Sequence, residues 1–185
     1  MRLMTETTPQ VNPACALCGF SWDPMVRSDV TRRVGTAVTS FLEVMRVAGT
    51  KVTVRPRADR WSILEYGGHL RDVLLSIRER VIIASIVDVP TGVPIYRDER
   101  IDLGFYAEDT LKEVMSELEV AALLFAKTVT TLPAHFDTRE LIYSSRTPLS
   151  VTISSTFSNA VHECEHHLSD ASDNLAMFNA ANDSV

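Results

Sequence analysis

Val161-His162-Glu163-Cys164-Glu165-His166-His167-Leu168-Ser169-Asp170 is the stretch from which both the fold and the chemistry of this chain are read. It holds three of the five histidines. No Pro or Gly interrupts the sequence between Leu149 and the C-terminus, so the stretch reads as helix. On a helix, residues four apart lie one turn above each other on the same face. Two such pairs are on offer, His162/His166 and Glu163/His167. Imidazole nitrogen and carboxylate oxygen both suit a divalent ion such as zinc, so either pair can supply two corners of a metal site. A third ligand must come from another helix, and His69 is the best candidate.

The helical period separates the two pairs. At about 100° per residue, Phe157, Ala160, Val161, Cys164, Leu168, Ala171 and Leu175 fall in one apolar stripe. His167 lies roughly 60° from its centre at Cys164, and Glu163 roughly 100° to the same side. Asp170 and Asn174 continue that edge. His162 and His166 fall at roughly 160°, on the face expected to meet solvent. The period therefore favours Glu163/His167 as the pair that faces the bundle.

The rest of the chain bounds what this helix can belong to. A length of 185 residues is enough for one domain with a full core. The net charge of −6 disfavours nucleic acid as a partner. No apolar run reaches the length of a membrane span, and no apolar export segment follows Arg2. With three cysteines and no export signal, a reducing cytoplasm is expected.

Residues 1–26 read as an N-terminal tail carrying a C-x-x-C turn, and residues 27–180 as a helical bundle. The turn is Cys15-Ala16-Leu17-Cys18-Gly19-Phe20. Such a turn can be half of a zinc knuckle, or a redox dithiol. A closed zinc site needs four ligands and there is no second C-x-x-C. The turn is therefore expected to hold two reduced thiols at the surface, with a thiol donated to the metal cleft as an alternative. A first helix spans 27–48, with Val30, Val34, Val38, Phe41, Leu42 and Met45 inward and Gly49 as its stop. Residues 50–60 are a basic connection whose Arg55 and Arg57, with Arg100 further on, are candidates for binding a carboxylate-bearing co-substrate. Ser62-Ile63-Leu64-Glu65 is a capping box that opens a second helix. His69 lies at the border of that helix's apolar stripe, and Asp72 reads as a surface charge.

Residues 88–108 contain Pro90, Gly92, Pro94 and Gly104 and form a long connection of the kind that serves as a lid. Thr110-Leu111-Lys112-Glu113 is a second capping box, and Pro133 ends the helix it begins. A short strand is expected at 141–143. Thr147-Pro148 starts the last helix, whose end is expected to fray from Asn179. The expected architecture is an all-α four-helix bundle with long connections between helices.

Trp61-Ser62-x-x-Glu65-x-x-x-His69-Leu70-x-Asp72 resembles the second-helix signature of the DinB/YfiT-like superfamily. His162-Glu163-x-x-His166-His167-x-x-Asp170 resembles its last-helix signature. With the Cys15-x-x-Cys18-Gly19 start and Tyr106, the chain is similar to an actinobacterial branch, related to the N-terminal domain of mycothiol-dependent maleylpyruvate isomerase. The resemblance implies a divalent metal, commonly zinc or nickel, held by one residue of the second helix and two of the last. In the isomerase group these are His, Glu and His, followed by an Asp. His69, Glu163 and His167 match as metal ligands and Asp170 as the Asp that follows them. That group carries a further C-terminal domain not evident here, so isomerisation itself is not the expected reaction. The expected function is metal-dependent transfer of a low-molecular-weight thiol, mycothiol-like, to an electrophilic small molecule. A hydrolase using activated water and a non-catalytic metal-binding bundle are the alternatives. The expected partners are the thiol and a small-molecule substrate, with a homodimer possible.

Overall fold

The bundle is built from caps inward. In the computed structural model, which describes residues 14–22, 25–146 and 148–182, the helices are α1 (Arg27–Ala48), α2 (Ile63–Ile86), a short α3 (Arg97–Asp102), α4 (Leu111–Thr131) and α5 (Ile153–Asn182). Both expected capping boxes are formed. The Glu65 amide donates to Ser62 Oγ and the Ser62 amide donates to Glu65 Oε2 at 2.7 Å, which fixes where α2 begins. Thr110 and Glu113 do the same for α4. Gly49 ends α1 at φ +53, a conformation that residues with a Cβ rarely adopt.

The last helix begins later than the sequence suggests. Residues 148–152 are expected to be helical, but Ser150–Thr152 is a strand, β2, antiparallel to β1 (Glu140–Ile142). Leu141 sits opposite Val151, and both are buried. Burying that pair outweighs the helix-start signal of Thr147-Pro148, and of these Thr147 lies outside the described residues. Thr152 then caps α5: the Ser155 amide donates to Thr152 Oγ1 at 3.1 Å. At its other end α5 runs to Asn182, past the expected fraying point.

The first two long helices are not neighbours here. α2 packs on α4 and α5, and α1 packs on the same two, while α1 and α2 scarcely touch. They stand diagonally across the bundle, so α5 is wedged between the two helices that open the chain. Phe41, Met45, Ile63, Leu70, Leu74, Leu118, Phe125 and Phe157 are wholly buried between them. Arg27, at the start of α1, clasps the end of α4: it donates to Val129 O at 3.0 Å and pairs with Asp137.

Two connections close over the bundle. The segment 88–108 is fastened by Asp72, which is a junction and not a surface charge. Asp72 accepts from Tyr106 Oη at 2.8 Å and from Arg71 Nε at 3.0 Å, and it pairs with Arg100. Gly68 lets the Tyr106 ring lie on α2, since a Cβ there would meet Tyr106 Cδ1 at 2.8 Å. In the same connection Gly92 lies directly against the Tyr143 carbonyl and Arg80, with no room for a side chain.

The second connection is the N-terminal segment. Residues 1–13 lie outside the described residues, but 14–22 form a tight turn with an antiparallel bridge between Ala14 and Ser21. Cys15 and Phe20 are buried against the bundle. Among the described residues, no helix is long and apolar enough to cross a membrane.

Candidate metal centre

α5 is unusual where it carries its histidines. Every residue from Thr156 to His162 is buried, polar ones included. A surface helix hides one stripe, whereas a helix enclosed all round must satisfy its polar groups internally. The polar residues of this stretch therefore have to find partners in the protein or a ligand.

On one side of α5, Glu163 and His167 meet His69 of α2. His69 Nε2 lies 3.6 Å and His167 Nε2 3.5 Å from Glu163 Oε2. One donor atom from each of the three residues falls within 4.8 Å of the others. The structure thus brings together the trio expected from the sequence, contributed by two helices. His69 is 2% exposed, yet neither ring nitrogen has a hydrogen-bond partner. An unsatisfied buried polar group costs about 1–3 kcal/mol, so this ring is placed for a ligand that the protein itself does not provide. Two imidazoles and a carboxylate converging on one point are a donor set that suits a divalent cation.

The trio is held from behind. His167 Nδ1 lies 2.9 Å from Asp170 Oδ2, which leaves Nε2 turned toward Glu163. Arg60 donates to the Asp170 carbonyl at 3.0 Å and to Asn174 Oδ1 at 2.8 Å. Asn174 in turn donates to the Trp61 carbonyl at 2.8 Å. These bonds tie the entrance of α2 to the middle of α5, and so set His69 against His167. The rings of Trp61 and His69 are 5.3 Å apart, and those of Tyr66 and His167 5.2 Å.

The electrostatics fit a site built around positive charge. Burial and the neighbouring imidazole of His167 hold His69 below its ordinary pKa, although Glu163 pulls the other way. Burial would also lower His167, but Asp170 and Glu163 outweigh it and raise this group. Burial would raise Glu163, yet the His167 and His69 imidazoles hold it well below the usual carboxylate range. Burial likewise opposes ionisation of Asp170, and His167 overcomes it.

A cavity of about 50 Å³ opens onto His69 and Glu163 and is lined also by Arg80, Arg97, Tyr143 and Asn159, with His167 outside its lining. Arg97 is, with Arg80, one of the two arginines in its lining. It sits at the start of α3, inside the connection read as a lid, and the signal that could have singled it out is a basic residue beside Tyr96 within that Pro- and Gly-rich segment. The three arginines proposed from sequence are elsewhere: Arg55 is paired with Glu65, Arg57 with Asp59, and Arg100 with Asp72. None of them lines the cavity. A concavity of about 770 Å³ lies by the N-terminal turn and includes none of the trio.

The other pair on α5 corrects an expectation. His162 and His166 do not face solvent: His162 is 1% exposed and His166 is largely covered. The period placed them opposite the core stripe, but the segment 14–22 folds over that face. The Phe20 and Trp22 rings lie 5.2 Å and 4.6 Å from the His162 ring. The C-x-x-C turn is therefore not a free surface turn either; Cys15 is buried and Cys18 exposed.

No protein-family model matches the chain, and neither does any curated protein. Among solved structures it is similar to YfiT from Bacillus subtilis, described as a probable metal-dependent hydrolase with an unusual four-helix bundle topology. The TM-score is 0.75 over 83% of this chain and 87% of that one, at 13% identity. At that identity the likeness shows a shared fold.

Proposed function

We propose that the chain is a divalent-metal-dependent enzyme of the DinB/YfiT type, acting on a small electrophilic substrate with a low-molecular-weight thiol. The observation that carries the reading is the convergence of His69, Glu163 and His167, two of which line a cavity, with buried His69 lacking a hydrogen bond. Three protein ligands are the number that leaves a coordination position for a reactant, whereas closed structural sites use four. When bound, a divalent ion, zinc or nickel, would supply a Lewis acid that holds a thiol as thiolate at neutral pH.

The residues divide the remaining work. Glu163 supplies a negative charge between the two imidazoles. Asp170 is a positioning residue: by accepting from His167 Nδ1 it fixes the tautomer that offers Nε2. Arg97 gives the cavity wall a cation for an anionic group of the thiol or substrate. Burial of the trio keeps water from competing at the reacting atoms.

Support for a thiol comes from the His69, Glu163, His167 and Asp170 spacing, which resembles that of the mycothiol-dependent group. The fold shared with a probable metal-dependent hydrolase favours a second reading, in which water is activated in place of a thiol. One experiment separates the two. Untagged protein loaded with zinc or nickel is supplied with electrophilic and ester substrates, with and without a mycothiol-like thiol. Product that forms only with thiol, and that is lost on chelation, supports transfer. Chelator-sensitive turnover without any thiol supports hydrolysis. Turnover insensitive to chelator and to Glu163→Ala would remove both readings.

A further inference from the structure

α5 carries a second i, i+4 pair, one residue out of step with the first, and it too meets ligand-type side chains from elsewhere. Cys15, Cys18, His162 and His166 each place one donor atom within 4.8 Å of the others. We infer that these four residues form a closed, structural zinc site, separate from the His69 centre, which pins the N-terminal segment to the last helix.

The donor set is the first reason. Two thiolates and two imidazoles make a soft, four-membered set of the kind that selects tetrahedral zinc. Four protein ligands leave no vacancy, so the site serves structure and not turnover. The second C-x-x-C that the sequence lacks is replaced by a helical His-x-x-x-His.

The local backbone is the second reason. The Cys15 amide donates to the Phe20 carbonyl at 2.8 Å, and the Gly19 amide to the Cys15 carbonyl at 2.9 Å. Gly19 sits at φ +71, which lets the chain turn back just after the second cysteine. This is the turn by which a C-x-x-C-G segment points both sulfurs to one side.

The third reason is unmet hydrogen bonding. His162 is buried, and neither Nδ1 nor Nε2 makes a hydrogen bond, Nδ1 lying 3.8 Å from Glu163 Oε1; His166 Nδ1 makes none either. His166 Nε2 faces Asp170 at 3.6 Å, which leaves Nδ1 as its free donor atom. Burying such nitrogens without partners is costly, and ligation by a cation satisfies one on each ring. The aromatic lid of Phe20 and Trp22 over His162, with Arg33 stacked on Phe20 at 5.2 Å and paired to Glu165, encloses the cluster from the side of α1.

The inference does not rest on the activity proposed above, and its test reads the metal directly. Untagged full-length protein is loaded with zinc for metal analysis, and with cobalt(II) for its absorption spectrum. The wild type should bind two ions per chain and show a thiolate-to-cobalt charge-transfer band in the near ultraviolet. Cys15→Ser with Cys18→Ser should lose one ion and the band. Glu163→Gln, which removes the carboxylate of the other cluster and leaves both cysteines in place, should keep the band. Should the double variant fail to fold, zinc-edge X-ray absorption on the wild type should still find sulfur in the zinc environment. The inference is overturned by a wild-type spectrum without the band, a band that survives the double cysteine change, or a Cys15–Cys18 disulfide in the freshly isolated, zinc-replete protein.

Discussion

The two edges of α5 use the same arithmetic to different ends. On one edge Glu163 and His167 meet a single residue from a neighbouring helix, and a cavity opens beside them. On the other, His162 and His166 meet two cysteines and lie under an aromatic cover. A three-donor set leaves a coordination position for chemistry; a four-donor set leaves none. One helix can support both because pairs offset by one residue point about 100° apart. The contrast shows that what distinguishes the edges is not the helix but what packs against it: a regular helix on one side, an irregular turn on the other.

The contrast can be broken most severely at the open edge. His69→Ala should abolish metal-dependent turnover, and metal analysis should show one ion lost with the fold retained by circular dichroism. The expected loss of affinity exceeds the roughly 10–100-fold that removal of an orienting partner costs. Next in size is the closed edge. A ligand present at a thousand times its Kd stabilises a fold by about 4 kcal/mol, so chelation should lower the Tm of the wild type and of Glu163→Gln substantially. It should do so far less in the Cys15→Ser, Cys18→Ser variant; equal shifts in all three would erase the distinction.

Asp170→Asn should have an intermediate effect. It should weaken metal binding at the open edge by about 10–100-fold, as measured by competition with a chelating dye, while leaving the cobalt–thiolate band in place. The smallest effect belongs to the helix start that carries His69. Burial opposes charge on Glu65, but Arg55 and the Ser62 amide hold its carboxyl below the ordinary value. A carboxyl depressed in the folded state contributes stability above its unfolded value of about 4.3, and that contribution fades as pH falls through the folded value. Glu65→Gln should therefore flatten this part of the acid limb in urea titrations, with metal content at neutral pH unchanged.

These expectations also mark how far the sequence could be read. Glu163 and His167 were legible because a helical period is local, and four residues suffice to show it. His69 was legible as a polar residue at the edge of an apolar stripe, followed by an acid. The fate of His162 and His166 was not, because their cover comes from Phe20, Trp22 and the two cysteines, and no period links an N-terminal turn to a C-terminal helix. For the same reason Cys15 and Cys18 looked like half a site in want of a matching half. Arg55, Arg57 and Arg100 were marked for their charge alone, and charge does not reveal that an acid already stands beside it. The diagonal placement of α1 and α2 is equally invisible to a pattern that says which face of each helix is apolar but not which helix meets it.

Gly92 carries a last consequence. The chain crosses itself there at backbone distance, with the Tyr143 carbonyl on one side and Arg80 on the other, and Arg80 and Tyr143 both wall the cavity over the trio. Two walls of that cavity are thus set by a residue with no side chain, itself outside the cavity lining. Its outline can be retuned through Arg97 or Asn159, whose side chains can change length and charge, but hardly at all through position 92, where any added atom would push the walls apart.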